Sequence, residues 1–300
     1  MADPFDKRTY YAITLDPVHI GTGGYRLGRV DNTITREPGT NLPKIPGSSI
    51  SGATRAYTAM HPDIDKYPSC AGKGGEGGDS HCGEPDCKVC VPFGFSRKSG
   101  TSFQGLAQFF DARILFFPVH SMIGPVWVTS PSVISEFTTV QDINPEKFRA
   151  INRVYDKQLN FGWLMLNHDS PSKADIDLSF LNTCEVCKVI KERAYLVSDK
   201  LFSRIVNDNL EVRTSVAINP ATGAAEDGAL YTYEAIPRAT VMWFDVVYNK
   251  PEYFRIDGQE ISVDVQANVK KGLEYLKTLG VGGMNTRGMG RLNILNLGGR

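Results

Sequence analysis

The sequence has no apolar run approaching the roughly 18 residues of a membrane-spanning helix, so it predicts no transmembrane segment. It also has no surplus of either charge. Thirty-three basic and 33 acidic residues leave a formal net charge of zero, which excludes a protein that coats nucleic acid by bulk positive charge. A role with nucleic acid would need a local basic face, or contacts shared among neighbouring subunits. The opening stretch, "MADPFDKRTYY", lacks an apolar signal core, and the expected location is cytoplasmic. The six cysteines do not form a secreted framework. Four lie between residues 70 and 90 and two form "CEVC" at Cys184 and Cys187, a clustering that suits metal better than disulfides.

What is present is ample core material, 41% hydrophobic, with 29 Gly and 17 Pro that imply many turns and long loops. "TYYAITLDPVHI" (9–20) reads as a strand. A helix follows in "PGSSISGATRAYTAM", capped by Ser48 or Ser49, with Ile50, Ala53, Ala56 or Tyr57, and Met60 on one face. Strands are expected at 106–119, 124–130 and 238–249, a short helix near 131–144, and a hairpin at 214–236 within a thumb-like segment 205–236. Residues 152–194 are polar and unassigned. A helix opened by Ser262 carries Val265, Val269, Leu273, Leu276 and Leu279 on one stripe and ends at Gly280. A last strand lies in "RLNILNL". Two helices on one face of an antiparallel sheet fit an α+β, ferredoxin-like (RRM-like) core. Residues 1–300 then form one domain with large insertions.

The insertion at 66–104 has little periodicity and cannot build a core of its own. It carries Cys70, His81, Cys82, Cys87 and Cys90. Zinc takes four such ligands in a tetrahedron, and a metal clip offsets the chain entropy of a coreless loop. Cys82, Cys87 and Cys90 are three ligands. The fourth is Cys70 or His81, with Cys70 favoured because adjacent ligands at 81 and 82 are geometrically awkward. The site is structural, since nothing implies an open coordination position. "CEVC" lacks partners and reads as free thiols in a helix.

Two further stretches carry chemistry. "GVGGMNTRGMG" (280–290) can bring backbone N–H groups up to phosphates, although a flexible turn would look the same. Arg287 and Arg291 favour the phosphate reading. The stretch "RVDNTITREPGTNLPKIPGSSISGATRAY" (29–57) places Asp31 beside Arg29, Arg36 and Lys44, ahead of Ser48, Ser49 and Arg55 at a helix N-terminus, a sound anion site. A lone loop Asp is more often only a turn former.

This stretch, with the C-terminal Gly-rich loop, resembles the signature of RAMP-superfamily proteins, the backbone subunits of type III CRISPR effector complexes. "FFDARILFFPVHSMIGPVWVTSP" is similar to the type III-B branch, and "KVCVPFG" after a Cys cluster to the type III-A branch. The resemblance implies a filament of copies along a guide RNA, working with other effector subunits. It also implies a thumb-like hairpin that kinks the guide–target duplex, and cleavage of target RNA beside each kink. Asp31 matches the Asp needed for cleavage. His19, Tyr233 and Glu234 are candidate accessories, although Glu234 could equally form a salt bridge at the thumb base. Gly282, Gly283, Arg287, Gly288 and Arg291, with Arg36, Lys44, Ser48, Ser49 and Arg55, are expected to hold guide RNA. Val216, Ile218 or Leu230 would be the wedge. Cleavage by the RNA's own 2′-OH, assisted by Mg²⁺ or another divalent cation on Asp31, is compatible with these residues. A purely structural RNA-binding subunit and a precursor-processing ribonuclease are the alternatives. The latter would more naturally show a His acid/base pair.

Overall fold

The computed structural model describes residues 3–23, 30–72, 81–97, 102–140, 143–181, 185–226 and 230–298. The chain divides into two compact units, one made of residues 1–12, 45–112 and 243–300, the other of 13–44 and 113–242. The described fold is mixed α and β, with mostly antiparallel strand pairing.

In the first unit the strand order is Leu292–Ile294, Phe5–Thr14, Val241–Asn249, and Ala107–Phe109 pairs antiparallel with the last of these. The expected strand at 106–119 is in fact two, Ala107–Phe109 and Ala112–Val119. The helices Gly47–Met60 and Val265–Tyr275 pack against each other. The second follows the expected stripe through Val265, Val269, Leu273 and Leu276, all buried, but it ends at Tyr275 rather than Gly280 and Leu279 is exposed; Asp264 rather than Ser262 is its cap, accepting from Ala267 N at 2.9 Å.

The first helix departs from expectation at both its cap and its face. It begins at Gly47, and neither Ser48 nor Ser49 caps it. Instead the Asp111 carboxylate accepts from Gly47 N at 2.8 Å, filling from across the unit the role of a side-chain cap. Gly47 is obligatory there, because a Cβ would lie 2.3 Å from Phe109 O. The buried face runs through Ile50, Thr54 and Thr58, while Met60 is exposed. Close helix contact is the cause. A Cβ at Gly272 would come within 2.4 Å of Thr54 O and 2.3 Å of Thr58 Oγ1, so small side chains, not large apolar ones, fill that seam.

The second unit has the strand order Ala112–Val119, Val126–Thr129, Ala194–Val197, Lys147–Ile151, Leu164–Ala174, Leu159–Phe161. Two neighbours are parallel, Val126–Thr129 with Ala194–Val197 and Lys147–Ile151 with Leu164–Ala174. Phe148, Phe161 and Tyr195 form a buried aromatic cluster with centroids 5.2–5.7 Å apart. Cys187 is buried and disulfide-bonded, which corrects the free-thiol reading of "CEVC"; Cys184 lies outside the described residues. The helix Asp199–Asp208, capped by the Ser198 hydroxyl, leads into an antiparallel hairpin of Glu211–Ser215 and Tyr231–Ala235. The hairpin therefore starts three residues earlier than the sequence implies.

Candidate functional site

The base of the hairpin gathers the residues picked out around Asp31. Three short segments meet there through bridges, Val18 with Ile236, Gly21 with Ile34, and Asn32 with Tyr233. Asn32 N donates to Thr232 O, and Glu234 N to Asn32 O. Asp31 is exposed and fixed in this lattice by Thr232. Its Oδ2 accepts from Thr232 N at 2.7 Å and from Thr232 Oγ1 at 2.8 Å. These two bonds hold the carboxyl below its ordinary value, so Asp31 is ionised at neutral pH. Thr232, 201 positions away, is a site residue with no signal in the sequence.

Glu234 and Arg36 form the second layer. The guanidinium meets the carboxylate through two bonds, Nη1 to Oε1 at 2.6 Å and Nη2 to Oε2 at 2.8 Å. Oε1 also accepts from Ile34 N, and Arg36 Nε donates to Asn207 Oδ1. Arg36 thus has its donors bonded within the chain, and Glu234 forms the salt bridge at the thumb base that was one of its two expected roles. His19 is 6% exposed and its Nδ1 lies 2.6 Å from the Glu234 carbonyl, which can only accept. Tyr233 is 5% exposed beneath it, the rings edge to face at 5.9 Å. The three expected accessories thus pack beneath Asp31, His19 through Nδ1 and Glu234 through its ion pair with Arg36. We expect Glu234→Gln to destabilise the chain by about 2–4 kcal/mol, because it strands a mostly buried guanidinium. Urea unfolding is the check, and a loss under about 0.5 kcal/mol would contradict it.

Beyond the paired strands, Val216, Ile218 and Leu230 are exposed, at 43%, 55% and 67%. Ile218 bridges Ala225 around a turn closed by Gly223 N to Asn219 O. Apolar side chains held out on a two-stranded arm suit a wedge. Residues 227–229 of the expected tip lie outside the described residues. Lys44 is half-buried, its N bonded to Thr35 O.

In the first unit, Thr58 lies by Asn268 and Thr54 by Gly272. This antiparallel pairing brings the start of the first helix, with exposed Ser48 and half-buried Ser49, towards the loop after Leu276. That loop has left-handed residues at Gly280, Gly282, Met284, Gly288 and Gly290. Gly282, Gly283, Arg287, Gly288 and Arg291 are exposed, and Val281 N to Gly290 O closes the loop at 2.9 Å. Arg55 does not join this surface. It donates through Nε to Cys70 O at 2.8 Å and through Nη1 to Gly94 O at 2.9 Å, which anchors the Cys loop.

That loop brings Cys70, Cys82, Cys87 and Cys90 together, all four sulfurs within 4.8 Å of one another. A tetrahedral zinc with Zn–S near 2.3 Å sets sulfurs about 3.8 Å apart. Cys70 and Cys82 are 3.6 Å apart, and Cys82 and Cys90 3.9 Å. Cys82 N and Cys90 N point at the sulfurs of Cys70 and Cys87, at 3.4 and 3.3 Å, as thiolates require. Contacts from Cys87 and Cys90 pull Cys70 down to about 3, while Cys70 and Cys87 push Cys90 up. Burial lowers Arg55, and the thiolates of Cys90, Cys70 and Cys87 oppose that shift. His81 is not part of this cluster; its Nε2 lies 2.6 Å from Gly72 O. The donor set therefore fits a closed four-sulfur metal site.

Comparison with known proteins now bears on this geometry. The chain is 27% identical over 303 residues to the "CRISPR system Cmr endoribonuclease Cmr4" of Pyrococcus furiosus, covering 94% of this chain and 92% of that protein. It is 36% identical over 87 residues to the "CRISPR system Cms endoribonuclease Csm3" of Methanothermobacter thermautotrophicus, covering 28% and 31%. Among solved structures, a chain of the type III-B Cmr-beta complex bound to cognate target RNA superposes with a TM-score of 0.65 at 12% identity, covering 98% of both chains. Oligomeric Cmr4 from Pyrococcus furiosus gives 0.59 at 20% identity, covering 98% of this chain and all of that one. At these identities the structural likeness speaks for the fold. The family model of the RAMP superfamily matches residues 11–293, and the chain belongs to that superfamily.

Proposed function

We propose that the chain is a backbone subunit of a type III CRISPR effector complex in the cytoplasm. In this reading copies of it line a guide RNA, and each copy cuts complementary target RNA beside its own hairpin. The observation that carries the reading is Asp31, an exposed carboxylate held ionised by Thr232 at the root of an arm with apolar side chains at its end. The relatives' names and the family support it. The first unit's sheet with its two packed helices is read as the ferredoxin-like core, and the four cysteines as a structural zinc site.

Cleavage needs little catalytic machinery. The target's 2′-oxygen attacks the adjacent phosphorus, the P–O5′ bond breaks, and the products carry a 2′,3′-cyclic phosphate and a 5′-OH. The 2′-OH loses its proton, and the departing O5′ gains one. An in-line arrangement supplies most of the rate, and a kink made by Val216, Ile218 or Leu230 displaces a nucleotide into it. Asp31 sits where it can orient the 2′-OH through Oδ1. A divalent cation suits a site with one or two carboxylates and open water positions, and when bound it supplies charge for the phosphate oxygens. Guide specificity comes from base pairing, so each subunit needs only a few backbone contacts, repeated along the filament. That accounts for the neutral net charge. The Gly-rich loop, with Ser48 and Ser49, is the proposed guide-backbone surface.

The assembled complex is expected to cut one complementary RNA at several evenly spaced positions, leaving cyclic-phosphate ends. A single cut, or none, would contradict the reading. Replacing residues 219–229 with two glycines should leave the subunit folded and reduce or displace the cuts. Cut positions and rates unchanged from wild type would refute the wedge. Because Thr232 holds the Asp31 carboxyl below its ordinary value, protonation of Asp31 should not limit cleavage between pH 5 and 8. The sign is that of a depressed carboxylate: the clasp's stabilisation is present above the unfolded pKa and is lost as pH falls through the lower folded one.

A further inference from the structure

A wide-mouthed, shallow cavity of about 520 Å³ lies between the first helix and the Cys loop, lined by Gly52, Arg55, Phe93, Phe95, Phe103 and Gln104 among others. Its volume falls in the range of small-molecule sites, about 300–1,000 Å³. We infer that this cavity takes a nucleobase of a bound RNA strand. The inference rests on the proposed RNA-binding role and adds a second, base-directed contact to it.

The walls are aromatic and stiff. Phe95 and Phe103 stack at 6.1 Å, and Phe93 stacks on Phe109 at 5.9 Å. Phe95 N donates to Phe103 O at 3.0 Å, and Phe103 N returns the bond at 2.9 Å. The two backbones touch through glycine. A Cβ on Gly94 would lie 2.7 Å from Gly105 N, and one on Gly105 would lie 2.5 Å from Pro92 O. Such a wall needs no reorganisation to receive a flat ring. Arg97 lies over the Phe95 ring at 5.3 Å, and none of the lining residues is acidic. Phe95 is buried against Phe103 and Arg97, so half-buried Phe93 and Phe103 are the aromatic surface open to a ligand; such a surface beside Arg55, with no carboxylate, suits a base carried on an anionic chain.

Arg55 supplies the polar contact. Its Nε and Nη1 are tied to carbonyls of Cys70 and Gly94. Nη2 lies 3.0 Å from His81 Nε2. That nitrogen is 2.6 Å from the Gly72 carbonyl and so carries its own hydrogen. It cannot accept from Nη2, which leaves the Nη2 hydrogens for a ring nitrogen or carbonyl of the ligand. Gly52 forms the helix side of the opening, and a Cβ there meets nothing within 4 Å. A larger side chain at Gly52 therefore blocks the cavity without a clash, and removing a helix glycine favours folding.

The test uses the full chain with its metal retained. Binding of AMP and of ribose 5-phosphate is compared for wild type, Gly52→Leu and Phe103→Leu. A single-stranded RNA substituted with 4-thiouridine is photo-crosslinked to the same proteins. Wild type should bind AMP at least tenfold more tightly than ribose 5-phosphate, and Gly52→Leu should lose that preference with an unchanged or higher melting temperature. Phe103→Leu should weaken AMP at least threefold, and crosslinks should map to residues 93–105 and vanish in Gly52→Leu. Equal binding of AMP and ribose 5-phosphate, or AMP binding untouched by Gly52→Leu, overturns the base pocket. AMP binding without crosslinks in 93–105 overturns RNA as the source of the base. If crosslinks fail there while RNA still binds, only the pocket is wrong; if RNA does not bind the assembled complex, the proposed function itself falls.

Discussion

Cys87→Ser is expected to lower the metal content from about one zinc per chain to less than a tenth of that, and to unfold residues 81–95 while the strands of both units persist. The four sulfurs already stand at the spacing of a tetrahedral zinc. Cys87 is 4% exposed, and its sulfur accepts from Cys90 N; a serine there offers a poorer ligand in a site with no spare donor. The described part of this insertion contains one helix, of four residues, Cys90–Phe93, so few backbone bonds hold it otherwise. Structural zinc sites in small peptides contribute about 10–16 kcal/mol, far above what one short helix supplies. Arg55 would lose its anchor on Cys70 at the same time, and the effect should reach the first helix. Elemental analysis and hydrogen exchange by mass spectrometry read both changes. Wild-type protein without zinc, or Cys87→Ser protein that keeps it, would contradict the metal site.

The parts of this fold that were legible in the sequence are those whose cause is local. The C-terminal helix was visible because Val265, Val269 and Leu273 repeat on one face and all three are buried. The Cys cluster was visible from spacing, and geometry then chose Cys70 over His81. The sequence of the first helix predicts its position but not its buried face. Burial of Thr54 and Thr58 follows from the closeness of Gly272, which no pattern within the helix reveals. The strands Leu159–Phe161 and Leu164–Ala174 were missed because Trp163 and Met165 lie exposed at the edge of the sheet, so apolar residues there do not mark the core. Around Asp31 the residue types were legible and their partners were not. Arg36 is expected on RNA, and Glu234 as a catalytic accessory or a salt bridge at the thumb base; nothing local shows that the two bond to one another across 198 positions.

The second large effect expected is at Asp31. It is exposed, so replacing it removes no core packing and should alter stability little. Asn at this position keeps an oxygen to accept from Thr232 N and so preserves the clasp, while removing the charge that orients the 2′-OH and attracts a cation. Loss of such a group typically costs 10²–10⁴-fold in rate. Guide and target affinities should stay within about twofold, because the proposed guide surface lies on the Gly-rich loop and the first helix. Thr232→Val should give a smaller rate loss, since it removes the hydroxyl bond to Oδ2 and leaves the backbone one. The deciding measurement is single-turnover cleavage of a complementary RNA by the assembled complex carrying Asp31→Asn, at saturating Mg²⁺. A fall of at least about 100-fold with target binding retained is the predicted result; cleavage at the wild-type rate would show that Asp31 is not the group that cuts.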